Sequence, residues 1–235
     1  MSKTYSKNKI IKMMEESKIN MKNFYKKKFL NYTGKTADTK EYYTEVMAEW
    51  LLNNFSLFDD IQTISRKSSY KVKSHNGKIK NESSNREEEK IAMKLFDFSE
   101  NKEKTFNIIG KIMDYQTPLK NVQTDDAGKI DLLAYNETNN ILRILELKKA
   151  TSDETMLRSV LEAYTYLKIL DRKKLLRDFR LPSNTIVKAS LLVFFKSAQY
   201  IEMQENRKYL KKLIEKLDIE PIYLKEENGE YSITN

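Results

Sequence analysis

Cysteine is absent from the 235 residues, and histidine occurs once, as His75. The missing cysteine excludes disulfides, thiolate metal sites and cysteine nucleophiles. A single histidine excludes a metal site built from several imidazoles. If the chain binds a metal, we therefore expect a hard cation with oxygen ligands, such as Mg²⁺ or Mn²⁺.

Long apolar stretches are also missing. No run approaches the roughly 20 apolar residues that span a bilayer, and the first residues lack the apolar core of a signal peptide. We expect a soluble, cytoplasmic protein without a membrane partner. Its 43 Lys and Arg against 34 Asp and Glu give a net charge of +9, which suits a polyanionic partner such as nucleic acid.

A β-hairpin is the strongest local pattern in the chain. The apolar runs Ile130–Tyr135 and Ile141–Leu147 flank a short polar turn. If four residues form the loop, Asp131 lies opposite Glu146, and such cross-strand partners share a face of the sheet. Because side chains alternate along a strand, Lys148 points the same way as Glu146. The pattern therefore predicts two carboxylates and one ammonium group on one face.

The motif within this hairpin resembles that of a known family. The tripeptide Glu-x-Lys occurs four times, starting at Glu16, Glu88, Glu100 and Glu146. Only the last follows apolar strand residues and an Asp in a preceding strand. The order Gly-Lys-Ile-Asp131, a turn, and Leu-Glu146-Leu-Lys148 resembles the PD-(D/E)XK nuclease superfamily, although Ile130 stands where the name-giving proline would be. The alternative is a solvated hairpin face with a cross-strand charge pair.

The resemblance implies metal-dependent hydrolysis of DNA phosphodiester bonds that leaves a 5′-phosphate. Asp131, Glu146 and the main-chain carbonyl of Leu147 would hold Mg²⁺ or Mn²⁺, which neutralises charge on the phosphate and activates a water. Lys148 would orient that water or help to deprotonate it.

A further acid is expected on the helix before the core sheet, where the superfamily often carries one. Capping residues Ser83–Asn85 predict a helix that reaches about Phe98, with Glu88 in its first turn. Glu88 is therefore the candidate, with its neighbours Glu87 and Glu89 as alternatives. A favourable interaction of acids with a helix N-terminus explains the same residues equally well. Asp114, after a predicted strand at residues 106–113, is another candidate acid.

Basic residues after the hairpin are candidates for binding the nucleic-acid backbone. Ser152 or Asp153 can begin a helix that runs to Leu170. Within it Glu154, Arg158 and Glu162 recur every four residues, which predicts ion pairs along the helix, although Arg158 could instead hold a phosphate. The following basic segment suits either a phosphate-binding patch or a solvated helix face. Its candidate residues are Arg172, Lys173 and Lys174.

Residues 1–82 are predicted to form a helical, Lys-rich extension. One or two short amphipathic helices fit residues 3–29, and Thr39 can cap a helix from Lys40 to about Asn54. Two strand-like pieces follow, at Asp60–Ser65 and Tyr70–Val72, and then a polar loop that contains His75 without an obvious partner.

The remaining pattern defines the expected fold class. A run within Thr185–Phe195 is apolar on both faces and predicts a buried strand. A helix at Gln204–Leu217 and two strands around Asn228-Gly229 complete the chain. We expect an α/β protein, with a restriction-endonuclease-like mixed central sheet flanked by helices. Residues 83–235 would form this core, and the resemblance covers roughly residues 83–225.

The function predicted from the sequence is that of a metal-dependent deoxyribonuclease with DNA as its partner. Two other classes stay open. One is a catalytically silent nucleic-acid-binding or regulatory module with the same fold, and the other is a structural or interaction protein whose hairpin charges are merely solvated. A homodimer would suit the cutting of both strands of a duplex.

Overall fold

The computed structural model describes residues 4–79, 85–121 and 128–234. The predicted boundary after residue 82, the capping residues Ser83 and Ser84, and most of the loop before the hairpin lie outside these ranges. The α-helices are α1 (Lys7–Ser17), α2 (Tyr43–Asn53), α3 (Glu87–Glu100), α4 (Met156–Ile169), α5 (Arg172–Asp178), α6 (Ala198–Gln204) and α7 (Lys208–Lys216). Short 3₁₀ helices occur at Met21–Lys26, Lys28–Asn31 and Phe55–Asp60.

Strands within the described residues form one six-stranded mixed sheet, so the expected α/β class is confirmed. The strands are β1 (Lys111–Pro118), β2 (Lys129–Asn136), β3 (Ile141–Lys148), β4 (Ile186–Phe194), β5 (Glu220–Glu227) and β6 (Glu230–Thr234). They lie side by side in chain order. β3, β4 and β5 are parallel to one another, whereas the β1–β2, β2–β3 and β5–β6 pairs are antiparallel.

The β2–β3 hairpin has the predicted register. Asn136 pairs with Ile141 and Leu132 pairs with Leu145, which leaves a four-residue loop. The last loop residue, Asn140, adopts a left-handed φ of 53°, a conformation that asparagine tolerates better than most residues. The turn chemistry and the apolar alternation therefore specify the same pairing.

Each face of the sheet is covered by helices. On one face, Leu133, Ile144 and Val193 belong to a large apolar core that includes α4. On the opposite face, alternate residues such as Leu132 and Leu145 pack in a second core with α3. The central strands are apolar on both sides because both of their faces are covered.

The N-terminal residues pack into the same core as α4. Phe24, Leu30 and Leu51 are buried there, and the hydroxyl of Thr155 at the start of α4 donates to the Leu30 carbonyl oxygen at 2.6 Å. The short helices predicted for residues 3–29 are confirmed as α1 and two 3₁₀ helices. Trp50 is buried in this core, and its Nε1 donates to Glu15 Oε1 at 2.7 Å.

Two predicted strand positions are wrong. Neither Asp60–Ser65 nor Tyr70–Val72 forms a strand, because their main chain bonds elsewhere: Ile64 N donates to the Ile169 carbonyl at 2.7 Å, and Tyr70 N to Asp178 Oδ2 at 2.8 Å. The strand expected at residues 106–113 begins only at Lys111. Positive φ angles at Ile108 and Gly110 interrupt the extended backbone there.

Helix starts also differ from the prediction. α2 begins at Tyr43 rather than Lys40, and Thr39 makes no capping bond to it. α4 begins at Met156, because Thr155 rather than Ser152 or Asp153 accepts from the main chain of its first turn. The helix expected at residues 204–217 begins only at Lys208, as α7, and α6 before it was not predicted. Several polar residues that could cap a helix precede each of these helices, and tertiary contacts decide at which residue the helix begins.

None of the helices in the described ranges is long and apolar enough to cross a membrane.

Gly110 offers a test of the turn that precedes β1. Its φ is +80°, and a Cβ at this position would overlap the carbonyl oxygen of Tyr135. We expect Gly110→Ala to lower the free energy of unfolding by about 3 kcal/mol, measured by urea denaturation. Gly229→Ala is the matched control, since Gly229 has a φ of +79° and a Cβ added there would meet nothing within 4 Å. It should cost only about 1 kcal/mol. Equal losses would contradict the argument.

Candidate active site

Asp131, Glu146 and Lys148 face the same side of the sheet. Continuing the hairpin register by one pair beyond Leu132 and Leu145 places Asp131 opposite Glu146. Asp131 is two residues from Leu133, and Glu146 is two residues from Ile144, so each shares a face with a residue of the core on the α4 side. A direct bond confirms the closeness of the two strands here, because Leu147 N donates to Asp131 Oδ2 at 2.9 Å.

Gln116 is a neighbour of Asp131 that the sequence did not reveal. Its Nε2 donates to Asp131 Oδ1 at 2.9 Å. Gln116 has a positive φ of 48° in β1, between two pairs in which Tyr115 faces Leu132 and Thr117 faces Ile130. No local pattern signals this conformation, since a glutamine inside a strand is ordinarily extended.

The ammonium group of Lys148 lies among three carboxylates. Its Nζ is 2.8 Å from Glu146 Oε1, 2.8 Å from Glu154 Oε2 and 3.3 Å from Glu162 Oε2. The lysine is only 4% exposed, so these partners replace water around its charge. Tyr166, one turn after Glu162 on α4, donates its hydroxyl to Glu162 Oε1 at 2.9 Å.

Glu154 and Glu162 were expected to form ion pairs along α4. The pair between Glu154 and Arg158 is confirmed, with 3.2 Å between Oε1 and Nη2. The structure adds that both glutamates also reach Lys148 on β3. The four-residue spacing is the only sequence signal for this role, and it does not show which face of the helix meets the sheet.

Burial and unbalanced charge shift the titration of the site. Burial raises the pKa of Asp131 to about 7, and the Glu162 and Glu88 carboxylates add to the rise against the opposing Lys148 ammonium and Leu147 N–H. Burial and then the Asp131 carboxylate raise the pKa of Glu146 well above its usual value. For Lys148, burial favours the neutral form, but the surrounding carboxylates outweigh it and raise the pKa.

The donor set suits a hard divalent cation. Among the described residues, Glu146, Glu154 and Glu162 form their ion pairs with Lys148 and Arg158, and Asp131 adds a fourth carboxylate, so the cluster holds an excess of negative charge when all its acids are ionised. In the described ranges, no three acidic or histidine side chains are grouped closely enough to hold a metal by themselves. Mg²⁺ commonly uses one or two carboxylates and completes its shell with water, so Asp131 and Glu146 fit it.

Glu88 lies near Asp131 at the end of the sheet where β2 begins and β3 ends. Its Oε1 accepts from Lys149 N at 3.1 Å, which ties the first turn of α3 to the end of β3. Glu87 instead pairs with the Lys149 ammonium at 3.0 Å, and Glu89 pairs with Arg86 at 3.3 Å. An open cleft of about 350 Å³ joins these elements, and its lining is Asn85, Arg86, Glu87, Glu88, Glu89, Gln116, Asp131 and Lys149.

Asp114 has a structural environment instead. It is 2% exposed and lies inside β1 rather than after it. Its carboxylate accepts from Tyr115 N at 2.9 Å and from the Thr117 hydroxyl at 3.2 Å. His75 Nδ1 is 2.6 Å from Asp114 Oδ1 and its ring stacks on Tyr115, so the expectation that His75 has no partner is wrong. Asp114 does not line the cleft beside Asp131.

The basic candidates lie in two places. Arg158 is near the site through its pair with Glu154. α4 leads away from the end of β3 and α5 follows it, so Arg172, Lys173 and Lys174 lie toward the end of the sheet where β3 and β4 begin. Lys174 pairs with Asp178 at 3.1 Å, while Arg172 and Lys173 are exposed. Phosphate binding by this segment stays a prediction, as does metal binding by the Leu147 carbonyl.

Comparisons of the chain with protein-family models, with curated proteins and with solved structures found no significant match. The case for a function therefore depends on the chemistry of this cluster.

The raised pKa of Asp131 predicts a pH-dependent stability difference. The folded-state pKa of Asp131, about 7, lies above the ordinary value of 3.8. The folded state therefore holds this proton more tightly than the unfolded state does, and the stability that this provides below pH 4 is lost as the pH rises through 7. Asp131→Asn removes this loss of stability because the asparagine side chain does not ionise. Because Asp131 is partly exposed and solvent screens it, we expect the variant to be more stable than the wild type by only about 1–2 kcal/mol at pH 8 in EDTA.

Urea denaturation at pH 5 and pH 8 measures this effect. The advantage of Asp131→Asn should be smaller at pH 5, where the folded wild type is largely protonated at this residue. Asp218→Asn is the control, because Asp218 forms an exposed pair with Lys188 at 2.9 Å. A stability difference between Asp131→Asn and the wild type that is the same at pH 5 and pH 8 would refute the electrostatic account.

Proposed function

We propose that this protein is a metal-dependent nuclease that hydrolyses phosphodiester bonds in DNA. The observation that carries the proposal is that Asp131, Glu146 and Lys148 lie together on one face of the sheet, where β2 begins and β3 ends. Glu88 at the same end of the sheet supports it, because its carboxylate opens on the cleft that Asp131 lines. An acid pair, a lysine and an open cleft are the parts that metal-assisted hydrolysis of a phosphodiester requires.

The order of elements supports a restriction-endonuclease-like core. α3 precedes a β1–β2–β3 meander, α4 follows, and β4 returns parallel to β3. This order agrees with the strand, hairpin, helix and strand on which the resemblance rests. The motif residues also occupy the two central hairpin strands, β2 and β3.

In the proposed mechanism, Asp131 and Glu146 would hold Mg²⁺ or Mn²⁺ from neighbouring strands. When bound, the cation supplies charge neutralisation at the phosphate and makes a water more acidic. Gln116 and the Leu147 N–H fix the Asp131 carboxylate by occupying one lone pair on each oxygen. Glu88 anchors the start of α3 to β3 and places further negative charge beside the cleft.

Lys148 acts as a cation in this mechanism. Its raised pKa keeps the ammonium form, so it donates hydrogen bonds and offsets phosphate charge rather than removing a proton from water. Glu154, just before α4, and Glu162 on α4 position this ammonium. The sequence left open whether Lys148 orients the water or helps to deprotonate it, and the surrounding carboxylates favour the orienting role.

Cation binding separates this proposal from a merely solvated hairpin. We expect isothermal titration of Mg²⁺ or Mn²⁺ into the wild type to show saturable binding that Asp131→Ala abolishes, because half of the carboxylate pair is lost. Asp218→Ala, which removes an exposed acid paired with Lys188, should leave the titration unchanged. A wild type that binds neither cation would exclude the metal-dependent mechanism.

Cleavage assays separate an enzyme from a silent binder. The substrates are single-stranded DNA, double-stranded DNA and RNA, each with Mg²⁺ or Mn²⁺. Asp131→Ala and Lys148→Ala should each reduce the DNA cleavage rate at least about 100-fold, since each removes charge stabilisation at the phosphate. Lys188→Ala, an exposed lysine paired with Asp218, is the charge-matched control. Wild-type rates in both site variants would show that the activity lies elsewhere.

A further inference from the structure

A second cleft lies beside the proposed site at the same end of the sheet. β3 and β4 are parallel, and Lys148 at the end of β3 pairs with Val193 of β4. Two residues further on, Phe195 leaves β4 next to Ala150. Both line a cleft of about 510 Å³ that continues to the ends of β4 and β5 and to the turn between β5 and β6.

The aromatic ring of Phe195 is partly exposed in this cleft. The Lys225 ammonium is 4.5 Å from the ring centroid and the Lys196 ammonium is 5.6 Å from it. The ring is supported from behind by Tyr200, whose centroid is 4.6 Å away, and Tyr200 in turn packs on Tyr223 at 4.8 Å. The result is an aromatic ring held by Tyr200, with the ammonium groups of two flexible lysine side chains over it.

Strand geometry relates this surface to the proposed site. Phe195 follows Val193 by two residues, so their side chains share the face that also carries Lys148 and Glu146. One strand spacing and two residues of rise separate Lys148 from Phe195 by about 8 Å between Cα atoms. At about 3.4 Å per stacked nucleotide, this separation corresponds to roughly two nucleotides.

We propose that Phe195 is a stacking platform for an unpaired base of a single-stranded nucleic acid whose backbone enters the cleft that Asp131 lines. The proposal rests on the nuclease function and specifies its substrate as one with a single-stranded segment. Aromatic side chains stack on bases of any sequence, whereas the bases of an intact duplex already stack on one another. When a base stacks on the ring, the ammonium groups of Lys196 and Lys225 move from the ring to the neighbouring phosphates.

We expect the Phe195 ring to contribute more to nucleic-acid binding than the net charge of the cleft does. Glu226 and Glu227 also line it and offset the two lysines. Truncation of the ring should therefore weaken binding more than removal of one lysine does. This order distinguishes stacking from a general attraction of nucleic acid to a basic protein.

The test measures binding in EDTA, so that cleavage does not enter. A short single-stranded deoxyoligonucleotide carrying 2-aminopurine reports affinity and base stacking together. Phe195→Ala should weaken its binding about 10-fold and remove the stacking-dependent quenching, while Phe195→Trp should retain both. Lys225→Ala should weaken binding less and lower the salt dependence by about one phosphate contact. Affinity for a blunt duplex should not change in Phe195→Ala.

Phe55 supplies the matched control. It is also partly exposed, and the Lys216 ammonium is 4.2 Å from its ring, but it lies on the 3₁₀ helix Phe55–Asp60. Phe55→Ala should bind the oligonucleotide like the wild type. Thermal unfolding of each variant shows whether it is folded, and Phe195→Leu replaces Phe195→Ala if the latter is not.

Failure of this inference is distinguishable from failure of the nuclease proposal. Wild-type binding by Phe195→Ala and Phe195→Leu, in a protein that cleaves DNA, overturns the platform alone. Loss of binding in those variants, in a protein that never cleaves, supports the platform and overturns the nuclease. A wild type that binds only duplex, or no oligonucleotide, also overturns the platform.

Discussion

The buried ammonium group of Lys148 is the interaction on which the arrangement of the site depends. A charge removed from water is stable only when partners replace its hydration. Here the partners come from two elements, Glu146 on the same strand and Glu154 and Glu162 on the α4 side. α4 is therefore fixed on β3 by charge at its first half as well as by apolar packing along its length.

The hairpin register decides whether this arrangement exists. A shift of one residue between β2 and β3 would turn Asp131 to the face that α3 covers, away from Lys148. Apolar residues alternate on both faces, so burial alone constrains this register weakly. The polar turn before Ile141 and the bond from Leu147 N to Asp131 Oδ2 supply the missing specificity.

The sequence predicted what depends on local pattern and missed what depends on distant contacts. The hairpin, the buried strand β4 and the amphipathic α4 follow from turn residues and periodicity within short windows. The start of β1 was predicted too early because left-handed residues at Ile108 and Gly110 interrupt an otherwise apolar run. The contact of Gln116 with Asp131 and the partners of Lys148 were not predicted, since a left-handed residue within a strand and the rotation of a helix are set by tertiary packing.

The excess of buried acid is difficult to explain as a purely structural feature. Well-packed apolar residues often replace a buried ion pair without loss of stability, and unpaired buried acids are costly. Asp131 and Glu146 both have raised pKa values, so the fold bears this cost near neutral pH. A cluster whose charge must be balanced by protons or by an added cation sacrifices stability, which is the cost expected of a site that binds a cation. This imbalance, beside a cleft that Asp131 lines, is the feature that the proposed metal-dependent mechanism would use.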